Sequence, residues 1–252
     1  MMRRTLSVTI ITLNEEENIG PCLESVAWAE EIVVCDSGST DKTLELSRQY
    51  TDRVFVDEWR GFSGHKNLAL ARATHPWVLS LDADERVTPE LRREIEGILE
   101  QDGPEDGYFV PRRNFFLGRQ IRYCGWSPDE TLRLFRREKG HFQERAVHEA
   151  VELTGRVGHL RTPIEHCSYR SLSDFLHRMD RYSSLAAEEM SRAGRRARVG
   201  DYALRPPATF LKMYVFQRGF LEGWRGFFLA SLYAVYTFVK YAKLWERQRQ
   251  RL

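Results

Sequence analysis

The sequence predicts an α/β fold of Rossmann-like character: a mostly parallel central sheet flanked by helices, with a helical extension behind it. Three observations predict it. From residue 5 to about 136, β-branched apolar runs alternate with stretches of helical periodicity, the pattern of strands covered on both faces by crossover helices. Polar and acidic residues gather where those apolar runs stop. The chain then changes character, because residues 192–252 hold 13 Lys and Arg against 3 Asp and Glu, whereas the whole chain has 38 against 36 and a formal charge of +2.

Taken in order, strands are expected over residues 6–13, 32–35, 53–56, 77–81, 107–111 and 131–135. Asp41 caps a helix over 42–50. Thr88-Pro89-Glu90 places a capping hydroxyl, a first-turn proline and an acid ahead of a helix over 91–99. Leu172, Phe175, Leu176, Met179, Tyr182 and Met190 recur at helical spacing over 171–193, with Gly194 as the stop, and this stripe is expected to pack on the sheet. Residues 195–207 read as a basic, proline-containing linker and 208–251 as one or two helices. The domains expected are therefore 1–194, a linker over 195–207, and a helical extension over 208–252.

With 252 residues, 42% of them hydrophobic, the chain can bury a large core, and disordered, collagen-like and disulfide-framework readings are excluded. Cys22, Cys35, Cys124 and Cys167 are far apart, which suits a reducing compartment and suggests no zinc cluster. His141, His148, His159 and His166 lack the short pair of a structural zinc site. The Met-Met-Arg-Arg start precedes a short apolar run that ends in Asn14-Glu15-Glu16-Glu17, and reads as a buried strand instead of an export signal.

Of the 30 aromatic residues, 12 lie between Phe210 and Trp245. The uncharged stretch 227–239 is too short to span a bilayer, which takes about 20 residues. Flanking cations and Trp224 and Trp245 at its ends instead suit a helix lying at an anionic membrane surface. Grouped in an apolar stretch, these aromatics are not interleaved with cations as in a nucleic-acid groove, and no nucleic-acid partner is expected.

The most specific local feature is the strand ending Leu79-Ser80-Leu81-Asp82-Ala83-Asp84-Glu85. Extended backbone would send Asp82 and Asp84 to one side, at the strand end where open α/β sheets bind ligands. Such a pair suits a hard divalent cation shared with a diphosphate. The first strand ends in Thr12-Leu13-Asn14-Glu15 and the second in Asp36-Ser37-Gly38-Ser39-Thr40-Asp41. There Asp36 could accept hydrogen bonds from a base or ribose, while Ser39 and Thr40 read as helix initiation. No G-x-G-x-x-G or G-x-x-x-x-G-K-[ST] occurs, which disfavours dinucleotide and P-loop binding. Arg112-Arg113-Asn114-Phe115-Phe116-Leu117-Gly118-Arg119 mixes cations and aromatics, and reads equally as a site for an anionic, phosphorylated glycan or lipid acceptor and as a solvated loop.

Together, the opening strand with Asn14-Glu15-Glu16, the block Asp36 to Thr43, the segment Gly64-His65-Lys66-Asn67 and the D-x-D motif Asp82-Ala83-Asp84 resemble glycosyltransferase family 2 over roughly residues 5–190. Within that family the resemblance is greatest to the lipopolysaccharide core-biosynthesis β-glucosyltransferases. It implies a GT-A fold and an inverting sugar transfer from a UDP-sugar, such as UDP-glucose, to a lipid-linked saccharide at the cytoplasmic face of the inner membrane, with Mg2+ or Mn2+. It further implies that Thr12, Asn14, Glu15 and Asp36 contact the nucleoside, that Lys66 lies near the donor, and that Asp82 and Asp84 bind ribose and metal. His166 stands where many members carry a late histidine near the metal. His148-Glu149 stands where the family usually shows Glu-Asp, making Glu149 the catalytic base, with Asp129 as runner-up.

In-line inverting transfer needs one base for the acceptor hydroxyl and one stabiliser of the departing diphosphate, and the residues above could supply both. Transfer to a polyprenyl phosphate would need no base. A non-catalytic membrane adaptor that binds a nucleotide sugar is the alternative from outside enzymes.

Overall fold

The computed structural model describes residues 4–101, 103–143, 150–169 and 171–249. The chain forms two compact units, the first comprising residues 1–113 and 129–166, the second 114–128 and 167–252.

The first unit alternates as expected. Strand β1 (Leu6–Thr12) leads to α1 (Glu16–Val26), β2 (Glu31–Asp36) to α2 (Thr43–Ser47), β3 (Val54–Val56) to α3 (Gly61–Arg72), and β4 (Trp77–Asp82) through β5 (Glu85–Arg86) to α4 (Pro89–Gln101). Then follow β6 (Gly107–Phe116) and β7 (Arg119–Gln120), and after them β8 (Glu130–Arg136), β9 (Gly140–Phe142), β10 (Val151–Leu153), β11 (Val157–His159) and β12 (Ile164–Tyr169). The sheet order is β3-β2-β1-β4-β8-β6, with β11 beside β6. Strands β3, β2, β1 and β4 run parallel, and β8 is inserted antiparallel between β4 and β6.

Strands β1 and β2 are buried on both faces because helices cover both. Leu6, Val8 and Ile10 pack with Leu23, Leu91 and Ile95 on one side, while Ile11, Val33 and Cys35 pack with Ala69 on the other. The Thr88 hydroxyl accepts the Leu91 N–H at 3.2 Å, the cap expected for α4.

In the second unit, β7 pairs with the end of β6 through Phe115–Gln120 and Phe116–Arg119. The helices are α5 (Leu172–Arg192), α6 (Val199–Ala203), α7 (Arg205–Leu211) and α8 (Trp224–Arg249), with a π-helical turn at Lys212–Phe216 and a 3-10 turn at Gly219–Glu222 before α8. The core of this unit gathers Phe116, Ile121 and Cys124 from the 114–128 excursion around Phe175, Met213, Leu229 and Ala230. Gly194, at φ +71°, ends α5, and the Arg195 N–H reaches the Met190 carbonyl, a glycine stop of the expected kind.

Two local expectations differ. Residues 195–207 carry α6 and the start of α7: Asp201 accepts from the Arg198 N–H and pairs with Arg205, so acid–base contacts fold what composition alone read as a linker. The stripe on α5 meets strand residues only at its start, where Phe175 packs on Phe116 of β6 and Tyr169 of β12, and further along it faces α8. Leu172 and Leu176 stay exposed, whereas Phe175, Ser183 and Ala187 are buried, and Lys243 of α8 binds the Asp180 carboxylate at 2.6 Å. No helix of the described residues is long and apolar enough to cross a membrane.

Candidate active site

Strand register builds the rim of the site in the first unit. Because β1 lies between β2 and β4, Thr12 stands beside Asp36 and Ile11 beside Asp82. The polar ends of three strands are therefore level. This is where an open α/β sheet receives a ligand.

Asn14 and Asp36 are joined by hydrogen bonds through Ser39, with Thr12 and Glu15 alongside, the Thr12 carbonyl accepting the Ser37 N–H at 3.0 Å. Asn14 has a left-handed backbone (φ 53°), which asparagine tolerates better than most residues. Its N–H donates to Ser39 Oγ at 2.8 Å and its Oδ1 accepts from the Thr40 N–H at 2.9 Å. The Glu15 N–H donates to Thr43 Oγ1 at 2.8 Å. Buried Asp36 accepts the N–H groups of Gly38 and Ser39 at 2.8 and 2.7 Å, and the Ser39 hydroxyl at 2.5 Å. The turn needs Gly38 at φ +94°. Ser39 and Thr40 thus tie two loops together instead of capping a helix; the N-cap of α2 is Lys42, and Asp41 just before it accepts the Thr43 N–H through Oδ1 at 2.9 Å. Thr12 Oγ1 is buried with no hydrogen-bond partner among the described residues.

A second group surrounds Asp82. Lys66 on α3 lies 2.8 Å from Asp82 Oδ1, and Arg133 on β8 lies 2.6 Å from Asp82 Oδ2 and 2.6 Å from Glu85 Oε1. The other Glu85 oxygen accepts the Asp82 N–H at 2.9 Å. Burial opposes ionisation of Asp82, but Arg133 and Lys66 prevail and hold its carboxyl well below the usual carboxylate range. Burial likewise works against the Arg133 charge, and Asp82 and Glu85 overcome it, so the guanidinium stays protonated. Asn67 fixes α3 against β9, its side chain exchanging hydrogen bonds with the Phe142 carbonyl (2.8 Å) and N–H (2.9 Å).

Asp84 has a different partner. A turn at Ala83-Asp84 interrupts the extended backbone between the two aspartates, which simple alternation had continued. Asp84 Oδ1 lies 3.5 Å from His166 Nε2, and β12 brings His166 there by pairing antiparallel with β5, His166 opposite Glu85. Burial disfavours the charged imidazole, but the Asp84 carboxylate outweighs it and raises the His166 pKa. An oxygen and a nitrogen so placed fit one divalent cation that completes its shell from phosphate and water. No cluster of three metal-binding side chains occurs among the described residues.

Asp129 forms a two-pronged pair with Arg112, both contacts at 2.9 Å, and this occupies its carboxylate. Glu149 lies outside the described residues. A cleft of about 400 Å3 is lined by Lys66, Asp82, Arg112, Arg133, Phe109 and Phe142, among others, and by Ala150. Asp84 and His166 are not in its lining.

Sequence reasoning missed Arg133 and Glu85 as members of the site. The signal was present: Arg133 stands inside the apolar run Leu132–Phe135, and a charge that interrupts a buried strand requires a buried partner.

The model of the family "Glycosyl transferase family 2" matches residues 7–151. The chain is 36% identical to the lipopolysaccharide core biosynthesis glycosyltransferase LpsC of Rhizobium meliloti over 96% of this chain and 92% of that one. It is 28% identical to an uncharacterized glycosyltransferase of Rickettsia typhi over 96% of this chain and 87% of the relative. Among solved structures it is similar to S. aureus TarS 1-349, with a TM-score of 0.47 and 17% identity, covering 98% of this chain and 92% of that one. With its family match spanning more than half the chain and a relative alike over nearly all of it, this protein is a glycosyltransferase and belongs to glycosyl transferase family 2.

Proposed function

We propose that this glycosyltransferase moves a sugar, glucose by the resemblance, from a UDP-sugar to a lipid-linked saccharide of the lipopolysaccharide core at the cytoplasmic membrane face. The observation that carries the reading is Asp82, fixed between Lys66 and Arg133 at the carboxyl end of β4 in the wall of the cleft. The name of the Rhizobium meliloti relative supports the acceptor class.

In this reading the nucleoside sits over the ends of β1 and β2. Thr12 Oγ1, buried and unpartnered among the described residues, meets a polar atom of the donor, and Asn14, Glu15 and Asp36 shape the loop around it. Lys66 adds positive charge beside the diphosphate. Asp84 and His166 would hold Mg2+ or Mn2+, which when bound neutralises charge on the departing diphosphate.

The acceptor hydroxyl attacks the anomeric carbon as the bond from that carbon to the diphosphate oxygen breaks, inverting the configuration. Its proton passes to the Glu149 carboxylate, and the nucleoside diphosphate leaves with the bonding electron pair. Ala150, next in sequence, lines the cleft. Asp129, engaged by Arg112, is the weaker candidate for base.

A donor-hydrolysis screen across nucleotide sugars, with Mg2+ or Mn2+, tests this on the full chain beside Asp84→Asn. A UDP-sugar turned over with metal, and slowed by the substitution, is expected. Absence of metal-dependent turnover of any donor would remove the reading.

A further inference from the structure

Helix α8 has two apolar faces. One, through Leu229, Ala230, Thr237, Tyr241 and Leu244, is buried within the second unit. The other carries Trp224, Phe227, Val235, Phe238 and Trp245, all exposed, Trp224 at 62%. Their spacings, combinations of three- and four-residue steps, keep them on one side of a helix with 3.6 residues per turn. An ordinary surface helix needs one apolar stripe; this one has a second that packing within the unit leaves uncovered.

The exposed stripe continues onto the turns before α8. Tyr214 packs against Phe227 at 5.8 Å and Phe220 at 6.5 Å between ring centroids, and Phe216, two residues after Tyr214 in the chain, is 80% exposed. A contiguous apolar surface of this kind is a docking surface.

Charge selects its occupant. From Arg205 to Arg249 the sequence has eight Lys and Arg against two acids: Glu246, exposed beside Trp245, and Glu222, which is buried and accepts the backbone N–H groups of Arg122 at 2.7 Å and Tyr123 at 3.1 Å. Cations border the stripe: Arg225 lies 4.6 Å from the Trp224 ring, Arg249 lies 4.7 Å from the Trp245 ring, and Arg218 is exposed near Phe216 in the chain. A second copy docking through the same patch would bring cations against cations, since a two-fold interface repeats its own surface. An anionic bilayer complements both properties, with acyl chains for the aromatics, phosphates for the guanidiniums and a headgroup layer for the indoles.

We propose that the outer face of α8, together with the Phe216 turn, docks on the surface of an anionic lipid bilayer without crossing it. The inner face, committed to the unit's own core, keeps the helix on the surface. The proposal stands on the second unit alone and is independent of the identity of donor and acceptor.

Full-length protein sedimented with vesicles of phosphatidylcholine, alone or mixed with phosphatidylglycerol, tests it. The wild type is expected to sediment with the mixed vesicles, less with phosphatidylcholine alone, and less as salt is raised. Phe216→Ser with Phe238→Ser should weaken binding on the order of 10²-fold, about tenfold for each lost ring, with the thermal midpoint and circular dichroism unchanged. Brominated phosphatidylcholine in the mixed vesicles should quench tryptophan emission, and Trp224→Phe with Trp245→Phe should remove most of that quenching. Wild type remaining in the supernatant at low salt, or the double serine variant binding like wild type, overturns the proposal. So does a lipid-free dimer that the serine substitutions dissociate, because the face would then join two copies.

Discussion

Arg133 holds Glu85 through a guanidinium nitrogen 2.6 Å from the carboxylate, and the Glu85 side chain is entirely buried. The same arginine holds Asp82, so one buried cation fixes both the carboxylate in the cleft and the one behind it. Arg133→Met would leave the buried Glu85 side chain with only the more distant Arg112, 3.7 Å away, as a cationic partner. The expected cost is about 3–5 kcal/mol, read as a lower urea midpoint at unchanged slope. Adding Glu85→Gln should recover part of the loss. An unchanged midpoint in Arg133→Met would show that Glu85 does not depend on this arginine.

Asp84→Asn keeps the shape of the side chain and removes its charge. Metal-stimulated donor turnover should fall about 10²-fold or more, while unfolding by urea changes little. Titration of Mn2+ against turnover checks it, and a wild-type titration curve in the variant would place the metal elsewhere.

His65 offers a test by pH. Its ring is buried, with one nitrogen 3.0 Å from Ser37 Oγ and Nδ1 without a hydrogen-bond partner among the described residues. Burial lowers its pKa below the ordinary value of 6.5. A histidine depressed in the folded state adds stability that is present above the unfolded pKa and is lost as pH falls through the folded one. Unfolding free energy should therefore decline from about pH 6.5 downward, by at most ~1.4 kcal/mol per pH unit for this one proton. His65→Gln should flatten that part of the curve, measured by urea unfolding across the range.

Gly226 allows α8 to meet the turn before it. A Cβ there would stand 1.8 Å from the Gly219 carbonyl oxygen, which is backbone and cannot swing aside. Gly226→Ala should cost about 1–3 kcal/mol and lower the thermal midpoint, although alanine is the better helix former. A midpoint equal to or above wild type would mean that the two segments separate easily.

The first unit was legible because its signals are local. Apolar runs such as 6–13 and 77–81 must be strands when buried on both faces, and the residues that end them must lie at the rim once the strands pair in parallel. The family resemblance singled out Lys66, Asp82, Asp84 and His166, but the pairing of Lys66 with Asp82 and of His166 with Asp84 is known from the structure. Arg133 was not read as part of the site, because its partners are fixed by the antiparallel insertion of β8, a long-range event that no local pattern announces. The second unit was read less well for the same reason. Periodicity found α5, but its packing against α8 as well as against the ends of β6 and β12 depends on residues far away in sequence. The fold of 195–207 depends on one acid, Asp201, placed among arginines.

The 114–128 excursion has a consequence for how the protein comes into being. Phe116, Ile121 and Cys124 leave the ribosome about a hundred residues ahead of Leu229 and Ala230, with which they form a core. At roughly 5–20 residues per second, these side chains wait some 5–20 s for their partners. Throughout that interval the first unit can gather its strands while the excursion remains an apolar loop facing solvent. A nascent chain released before residue 229 would lack Leu229 and Ala230 over that loop, and one released before residue 175 would carry it with none of those later partners.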